Sequence, residues 1–307
     1  MRYAIISDIH GNYPAFEAVL QDAKAQGADM YLLLGDYIGP PYENVVADEL
    51  RKIKPATVIS GNGEGYFVDF LGRNPQEFTD EQFKPLYWSY HSLSRENLEY
   101  MTTLPETAVI SDGDIKIHMA HAMGLFYRSQ KIDFFHPGLV RALRTAAPFS
   151  HEEYRVRARE ALLACPEAVA EIHAMPKGIY LFGHNHLQFH MEYKGWVFIN
   201  PGSCGGPLDL DTRAPYTLLT IDGAEIAVAE RRVEYDLNTM VEELDNSGFT
   251  AHAPVWSEVM KLGLTTGKDY FSSFVAHLIE TSQDMGETGM PVSNQAWDTA
   301  VKTWVML

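Results

Sequence analysis

Tyr3-Ala4-Ile5-Ile6-Ser7-Asp8-Ile9-His10-Gly11-Asn12 is a short apolar run that stops abruptly at an acid, an imidazole and a glycine. Four apolar residues in succession suit a buried strand. Pro14, then Phe16, Val19, Leu20 and Ala23 at helical spacing, with Gly27 beyond them, predict that a helix follows. The same grammar recurs downstream. Leu32-Leu33-Leu34 stops at Gly35-Asp36, Val58-Ile59-Ser60 at Gly61-Asn62, and Ile115–Ala120 at His121-Ala122. Ile179–Phe182 stops at Gly183-His184-Asn185-His186, and Val197–Ile199 at Asn200-Pro201-Gly202-Ser203. Short strands alternating with helical stretches predict an α/β core. The carboxyl ends of strands line the crevice of an open α/β sheet, so six strand ends are expected to converge on one site. Further strands are expected at Met30–Leu34, Thr57–Ile59, Tyr216–Ile221 and Glu225–Ala229; the last two, with Val197–Ile199, read as an antiparallel section.

Asp8, His10, Asp36, Asn62, His121, His184 and His186 together offer oxygen and nitrogen donors and no thiolate. One cation rarely uses so many donors. Two cations sharing a carboxylate do, with about four protein positions each and roughly 3.5–4 Å between the ions. Asp36 is the expected bridge, because it is the only donor in its own motif. A mixed imidazole and carboxylate set suits Mn, Fe or Zn better than Ca or Mg alone. His118 competes with His121, but His121 stands at the strand end; His118 is expected in the core or between sheets.

In order and spacing, Asp8-Ile9-His10-Gly11-Asn12, Gly35-Asp36, Gly61-Asn62, His121-Ala122 and Gly183-His184-Asn185-His186 resemble the calcineurin-like metallophosphoesterases over about residues 1–230. The resemblance implies a two-sheet β-sandwich flanked by helices, with a dinuclear site at one edge; a helical cap insertion is expected beside it. It implies that one ion takes Asp8, His10, Asp36 and His186, and the other Asp36, Asn62, His121 and His184. Asn200-Pro201-Gly202-Ser203 and Arg232-Val233-Glu234-Tyr235-Asp236 look most like the compact bacterial branch of phosphodiesterases and dinucleoside polyphosphate hydrolases. One departure matters. The serine/threonine phosphatases of the superfamily carry a histidine general acid at the position matching 63, where this chain has Gly63-Glu64. Without that acid a poor alkoxide leaves slowly, whereas phosphoanhydrides and activated diesters leave more easily. The expected activity is hydrolysis of a phosphodiester or phosphoanhydride in a small nucleotide-like molecule, with Asn62 also orienting phosphate. The alternatives are a protein phosphatase, or a non-catalytic protein-binding scaffold on the same fold.

The chain has 307 residues, 46% of them hydrophobic and 21% charged, as a globular protein does. A net charge of −17 repels polynucleotides. No run approaches the roughly 18 apolar residues that span a bilayer, and Met1-Arg2 leads straight into the first apolar run. With Cys165 and Cys204 its only cysteines, the chain is expected in a reducing, cytoplasmic setting, with no membrane partner and its oligomeric state open. The domain is expected over 1–235, with a cap insertion at about 124–177 and an acidic helical extension over 236–307. From Gly124 to Lys177 eight basic residues face six acidic ones, so this stretch tolerates an anion best. Arg128 is expected to grip a substrate phosphate there, and Glu64 to contact substrate from beside the Asn62 motif. A second helical insertion, Tyr66 to Leu104, carries nine aromatics that are expected to pack in the core; Thr79 and Ser94 are expected N-caps. Cys204 is expected to be a small buried thiol.

Overall fold

The computed structural model of the protein describes residues 1–126 and 151–304. Two five-stranded sheets face each other. In the first, β1 (Arg2–Ile6), β2 (Met30–Leu33) and β3 (Ala56–Val58) run parallel. The hairpin of β9 (Ala214–Asp222) and β10 (Glu225–Val233) joins the free side of β1 antiparallel. In the second, β5 (Ile115–Ala120), β6 (Gly178–Leu181) and β8 (Trp196–Pro201) run parallel. Antiparallel strands β4 (Thr107–Asp112) and β7 (Gln188–Tyr193) close its two edges.

The unbroken apolar run at the start of the chain follows from burial on both faces. Tyr3 and Ile5 point into the layer between the sheets, against Ile117, Met119, Ile179 and Leu181. Ala4 and Ile6 point the other way, beneath the helices. Each Ile or Leu so buried contributes about 1.5–3 kcal/mol. Helices α1 (Tyr13–Ala25), α2 (Glu43–Lys52), α3 (Asn62–Leu71), α4 (Lys84–Ser92) and α5 (Arg95–Thr102) cover the first sheet. Helices α6 (His151–Leu163) and α7 (Pro166–Ala174) cover the second, with Leu162, Ala168 and Ile172 against Tyr180, Phe189 and Phe198. The start of α1 is fixed by Asn12, whose side-chain oxygen accepts from the Ala15 amide, and Pro14 sits in its first turn.

Beyond β10, helices α8 (Leu237–Asn246), α9 (Phe249–His252), α10 (Pro254–Thr266), α11 (Tyr270–Asp284) and α12 (Asn294–Thr303) build their own core around Phe249, Trp256, Phe274 and Trp297. Trp88 of α4 packs into that core. Trp256 donates its indole N–H to the Glu81 carbonyl, and the Gln82 amide pairs with both backbone groups of Val292.

Several sequence expectations need correction. Val197–Ile199 lies in β8, parallel to β6 and in the other sheet from the β9–β10 hairpin, so the three do not form one antiparallel section. Ser94 caps α5, but Thr79 follows a 3-10 turn rather than starting a helix; Asn74 caps that turn. His118 lies on the helix-covered face of β5, stacked on Tyr180 at 4.5 Å, and not between the sheets. The aromatic insertion packs as expected: Phe67 and Phe70 are buried, and Phe70 meets Phe78 and Tyr90 edge-on. Tyr66 is the exception, at 44% exposed.

Candidate metal centre

The parallel strands of both sheets end at one edge, and seven polar side chains meet there. Asp8 follows β1, Asp36 follows β2, Asn62 opens α3 after β3, His121 follows β5, and His184 and His186 follow β6. Asp8 Oδ1 lies 3.3 Å from His186 Nε2 and 3.8 Å from His10 Nε2; those two ring nitrogens are 3.1 Å apart. On the other side, Asn62 Oδ1 lies 3.1 Å from His121 Nε2 and 2.9 Å from His184 Nδ1. Both carboxylates reach across the two groups: Asp36 Oδ2 lies 3.4 Å from His121 Nε2 and 4.0 Å from His10 Nε2, and Asp8 Oδ1 lies 3.9 Å from His121 Nε2. The other Asp36 oxygen, Oδ1, accepts from the Gly63 amide at 2.7 Å.

Backbone acceptors aim the rings. His121 Nδ1 donates to the Leu34 carbonyl and His186 Nδ1 to the Gly206 carbonyl, each at 2.8 Å. That turns both Nε2 lone pairs toward the carboxylates, as in a metal site whose ligands are oriented from behind. The strand ends themselves are tight. A Cβ at Gly11 would fall 1.7 Å from the Gly39 carbonyl oxygen, and one at Gly183 would fall 2.0 Å from Ser7 Oγ, so only glycine fits either place. Asp8, His10, Asp36, His184 and His186 all have positive φ, between 47° and 68°. Left-handed backbone is costly for residues with a Cβ, and a cluster of five at one site marks it as functional.

The electrostatics call for a cation. Asp8 and Asp36 are buried, and among the described residues neither pairs with a lysine or arginine. Burial pushes the Asp8 carboxyl up, but the charges of His186 and His121 outweigh it and hold it at about 2. Burial likewise opposes ionisation of Asp36, and His121 overrides it, so this carboxyl too stays ionised. Burial and His186 push His10 down to about 4, which leaves its ring neutral and able to ligate. For His121 burial favours the neutral ring, yet Asp36 and Asp8 raise it to about 10. A proton there stands in for the positive charge that a metal would supply. Paired buried carboxylates, oriented imidazoles and an amide oxygen fit two transition-metal ions in donor type and number.

Glu64 does not stand where a substrate contact should. It is 1% exposed, and its carboxylate accepts from the amides of Asp36, Tyr37 and Gly61 at 2.8–2.9 Å. Buried and held by three backbone N–H groups, it props the turn that carries Asp36. The signal was present in the sequence: Glu64 is the third residue of a helix entered from Gly61, the acidic position of a capping box. Arg128 lies outside the described residues.

Further support comes from the Asn200-Pro201-Gly202-Ser203 motif and the residues after it. Asn200 donates to the Gly183 carbonyl and to Asn185 Oδ1, Ser203 Oγ donates to the Asp8 carbonyl, and the Gly205 amide donates there as well. The Asn-Pro-Gly-Ser turn thus ties the β6 loop to the β1 loop. Cys204 is fully buried in it, and burial pushes its thiol up, so it is an inert packing group. His190 pairs with Glu230 at 2.7 Å, away from the centre.

Two helix-flanked sheets with side chains that could hold metal at their common edge are the arrangement expected of a metallophosphoesterase. The family model of the calcineurin-like phosphoesterase superfamily domain matches residues 1–224, and the chain belongs to that superfamily. It is 26% identical over 258 residues to an uncharacterized protein of Methanocaldococcus jannaschii, covering 78% of this chain and 90% of that one. Among solved structures it resembles a metallophosphoesterase from Sphaerobacter thermophilus, with a TM-score of 0.60, 24% identity, and 87% of this chain and 100% of that chain covered. It also resembles a hypothetical protein from Pyrococcus horikoshii, with a TM-score of 0.61, 19% identity, and 83% and 96% covered. No helix among the described residues is long and apolar enough to cross a membrane.

Proposed function

We propose that the protein is a dinuclear metal-dependent hydrolase of phosphodiester or phosphoanhydride bonds in small, nucleotide-like substrates. The observation that carries this reading is the meeting of seven oxygen and nitrogen donors at the shared edge of the two sheets, in two groups that the buried carboxylates of Asp36 and Asp8 both reach. Asp8, His10 and His186 would hold one ion, Asn62, His121 and His184 the other, and Asp36 both. When bound, manganese, iron or zinc ions would supply Lewis acidity toward the phosphoryl oxygens and make water a nucleophile near neutral pH. The chain's own part is to hold these donors rigidly, through the Leu34 and Gly206 carbonyls, so that no reorganisation is needed as charge develops. Asn62 is itself exposed, so its amide would also face an incoming phosphate.

Position 63 decides the leaving group. Gly63 gives only its backbone N–H, and that bond is spent on Asp36. A substrate must therefore leave without a proton from this position, which favours phosphoanhydrides and aryl diesters over phosphoserine. The test is a series with the manganese-loaded protein on dinucleoside polyphosphates, bis-p-nitrophenyl phosphate, p-nitrophenyl phosphate and a phosphoserine peptide. Rates on the phosphoserine peptide are expected to be lower than on anhydrides by about 100-fold or more, the usual worth of general acid catalysis. Equal rates on both would refute the assignment.

A further inference from the structure

We propose that Arg232 is a positioning residue of the metal centre, holding His186 in its ligating orientation through the loop between β8 and β9. The inference rests on the reading of His186 as a ligand. The His186 backbone sits at φ 58°, outside any strand, and that loop braces it. The Gly206 carbonyl accepts from its Nδ1, and the Leu208 amide donates to its carbonyl at 3.3 Å. The next residue, Asp209, is what Arg232 seizes. The guanidinium of Arg232, on β10, makes a two-pronged pair with Asp209 in which the side chains are 9% and 2% exposed. The same group donates to the Asp211 and Arg213 carbonyls at 3.1 and 3.4 Å. Its Nε donates to Gln188 Oε1 at 2.8 Å, at the start of β7 and two residues after His186.

A single side chain therefore pins the chain on both sides of the ring: the loop that accepts from it and the strand that follows it. Burying an arginine–carboxylate pair is a weak way to gain stability, so the geometry that this pair imposes is what the test must read. Lysine cannot replace it, because one ammonium does not fan across a carboxylate, two carbonyls and an amide in fixed directions. The neighbouring residue is a built-in control. Arg231 projects to the other face of β10, where it pairs with Asp22 of α1 at 2.7 Å and makes no bond to the loop.

The test measures Mn²⁺ affinity and stoichiometry by titration, beside thermal unfolding, for Arg232→Met, Arg231→Met and His186→Ala. Arg232→Met is expected to weaken one of the two ions by about 10- to 100-fold, the range for a lost ligand-orienting contact, while the other binds as in the parent. Arg231→Met is expected to lower the melting temperature and leave both affinities at the parent value. In a His186→Ala background, Arg232→Met should add no further loss of affinity, because its effect runs through that ring. Parent affinity in Arg232→Met, or an equal loss with and without His186, overturns the proposal while leaving the ligand set intact. Parent affinity in His186→Ala overturns the ligand reading itself. Should Arg232→Met fail to fold, Asp209→Asn breaks the same clamp with the carbonyl acceptor retained, and the same affinities decide.

Discussion

Asp36 illustrates how one residue is held for one task. One carboxylate oxygen is fixed by the Gly63 amide, its own amide is fixed by Glu64, and the remaining oxygen is left facing His121 and His10. Asp36→Ala is expected to abolish turnover and to reduce bound metal at both positions, since two cations lose their shared anion and repel. His186→Ala is expected to strip mainly one ion. Elemental analysis of the purified variants checks both, and a full metal complement in Asp36→Ala would show that the ions do not share it. At this scale the donors were legible in sequence because each is a polar residue stranded at the end of an apolar run. Their supports were not. The Leu34 and Gly206 carbonyls belong to the backbone, which has no signature in a residue string, and Glu64, expected to contact substrate, is instead spent on the amides of the turn that carries Asp36.

At the scale of elements, the parallel strands β1, β2, β6 and β8 were legible because burial leaves unbroken apolar runs. The edge strand β4 was not, since alternate residues of Thr107–Asp112 are exposed and its hydrophobic signal is diluted. The junction of α2 with α4 holds a further element-level feature. Glu43, in the first turn of α2, is 4% exposed beside Trp88, and its Oε1 has no hydrogen-bond partner among the described residues. Burial raises its carboxyl from 4.5 to about 7. The folded protein thus holds this proton where the unfolded chain has lost it. Its contribution is fully present below pH 4.5 and disappears as pH rises through about 7. Over that window about 3 kcal/mol of stability is lost, at 1.36 kcal/mol per unit. Glu43→Gln is expected to remove this slope and to be the more stable form at pH 8. Denaturant unfolding at pH 5 and pH 8 measures it, and parallel pH profiles for parent and variant would exclude the effect.

The whole molecule joins two bodies of different character. Residues 1–224 match the family model, while the helices beyond β10 carry three basic residues against eleven acidic ones from Val233 onward. The seam mixes apolar packing and hydrogen bonds, with Trp88 among Phe249 and its neighbours and Leu210 donating its amide to the Gly267 carbonyl. A chain ending at Asp236 is expected to expose Trp88, to bind a hydrophobic dye more strongly than the full chain, and to melt at a lower temperature. Unchanged melting and dye binding would mean that the helices merely rest on the domain. Charge counting marked this segment as separate, but it could not show that the aromatic insertion reaches across to meet it.

The place of β1 sets the order in which the protein can be made. It lies between β2, which follows it closely, and β9, which begins at Ala214. At about 5–20 residues per second, roughly 10–40 s separate the emergence of these two neighbours from the ribosome. Through that interval Ile5 and its neighbours are synthesised but their sheet is unfinished, and the carbonyl of Asp8 lacks the Ser203 and Gly205 donors that fix it. Metal cannot be gathered by a half-made chain in its final geometry. Assembly of the centre waits for the last third of the polypeptide, so slowed translation would lengthen the period in which the bare strand is open to aggregation and to stray cations.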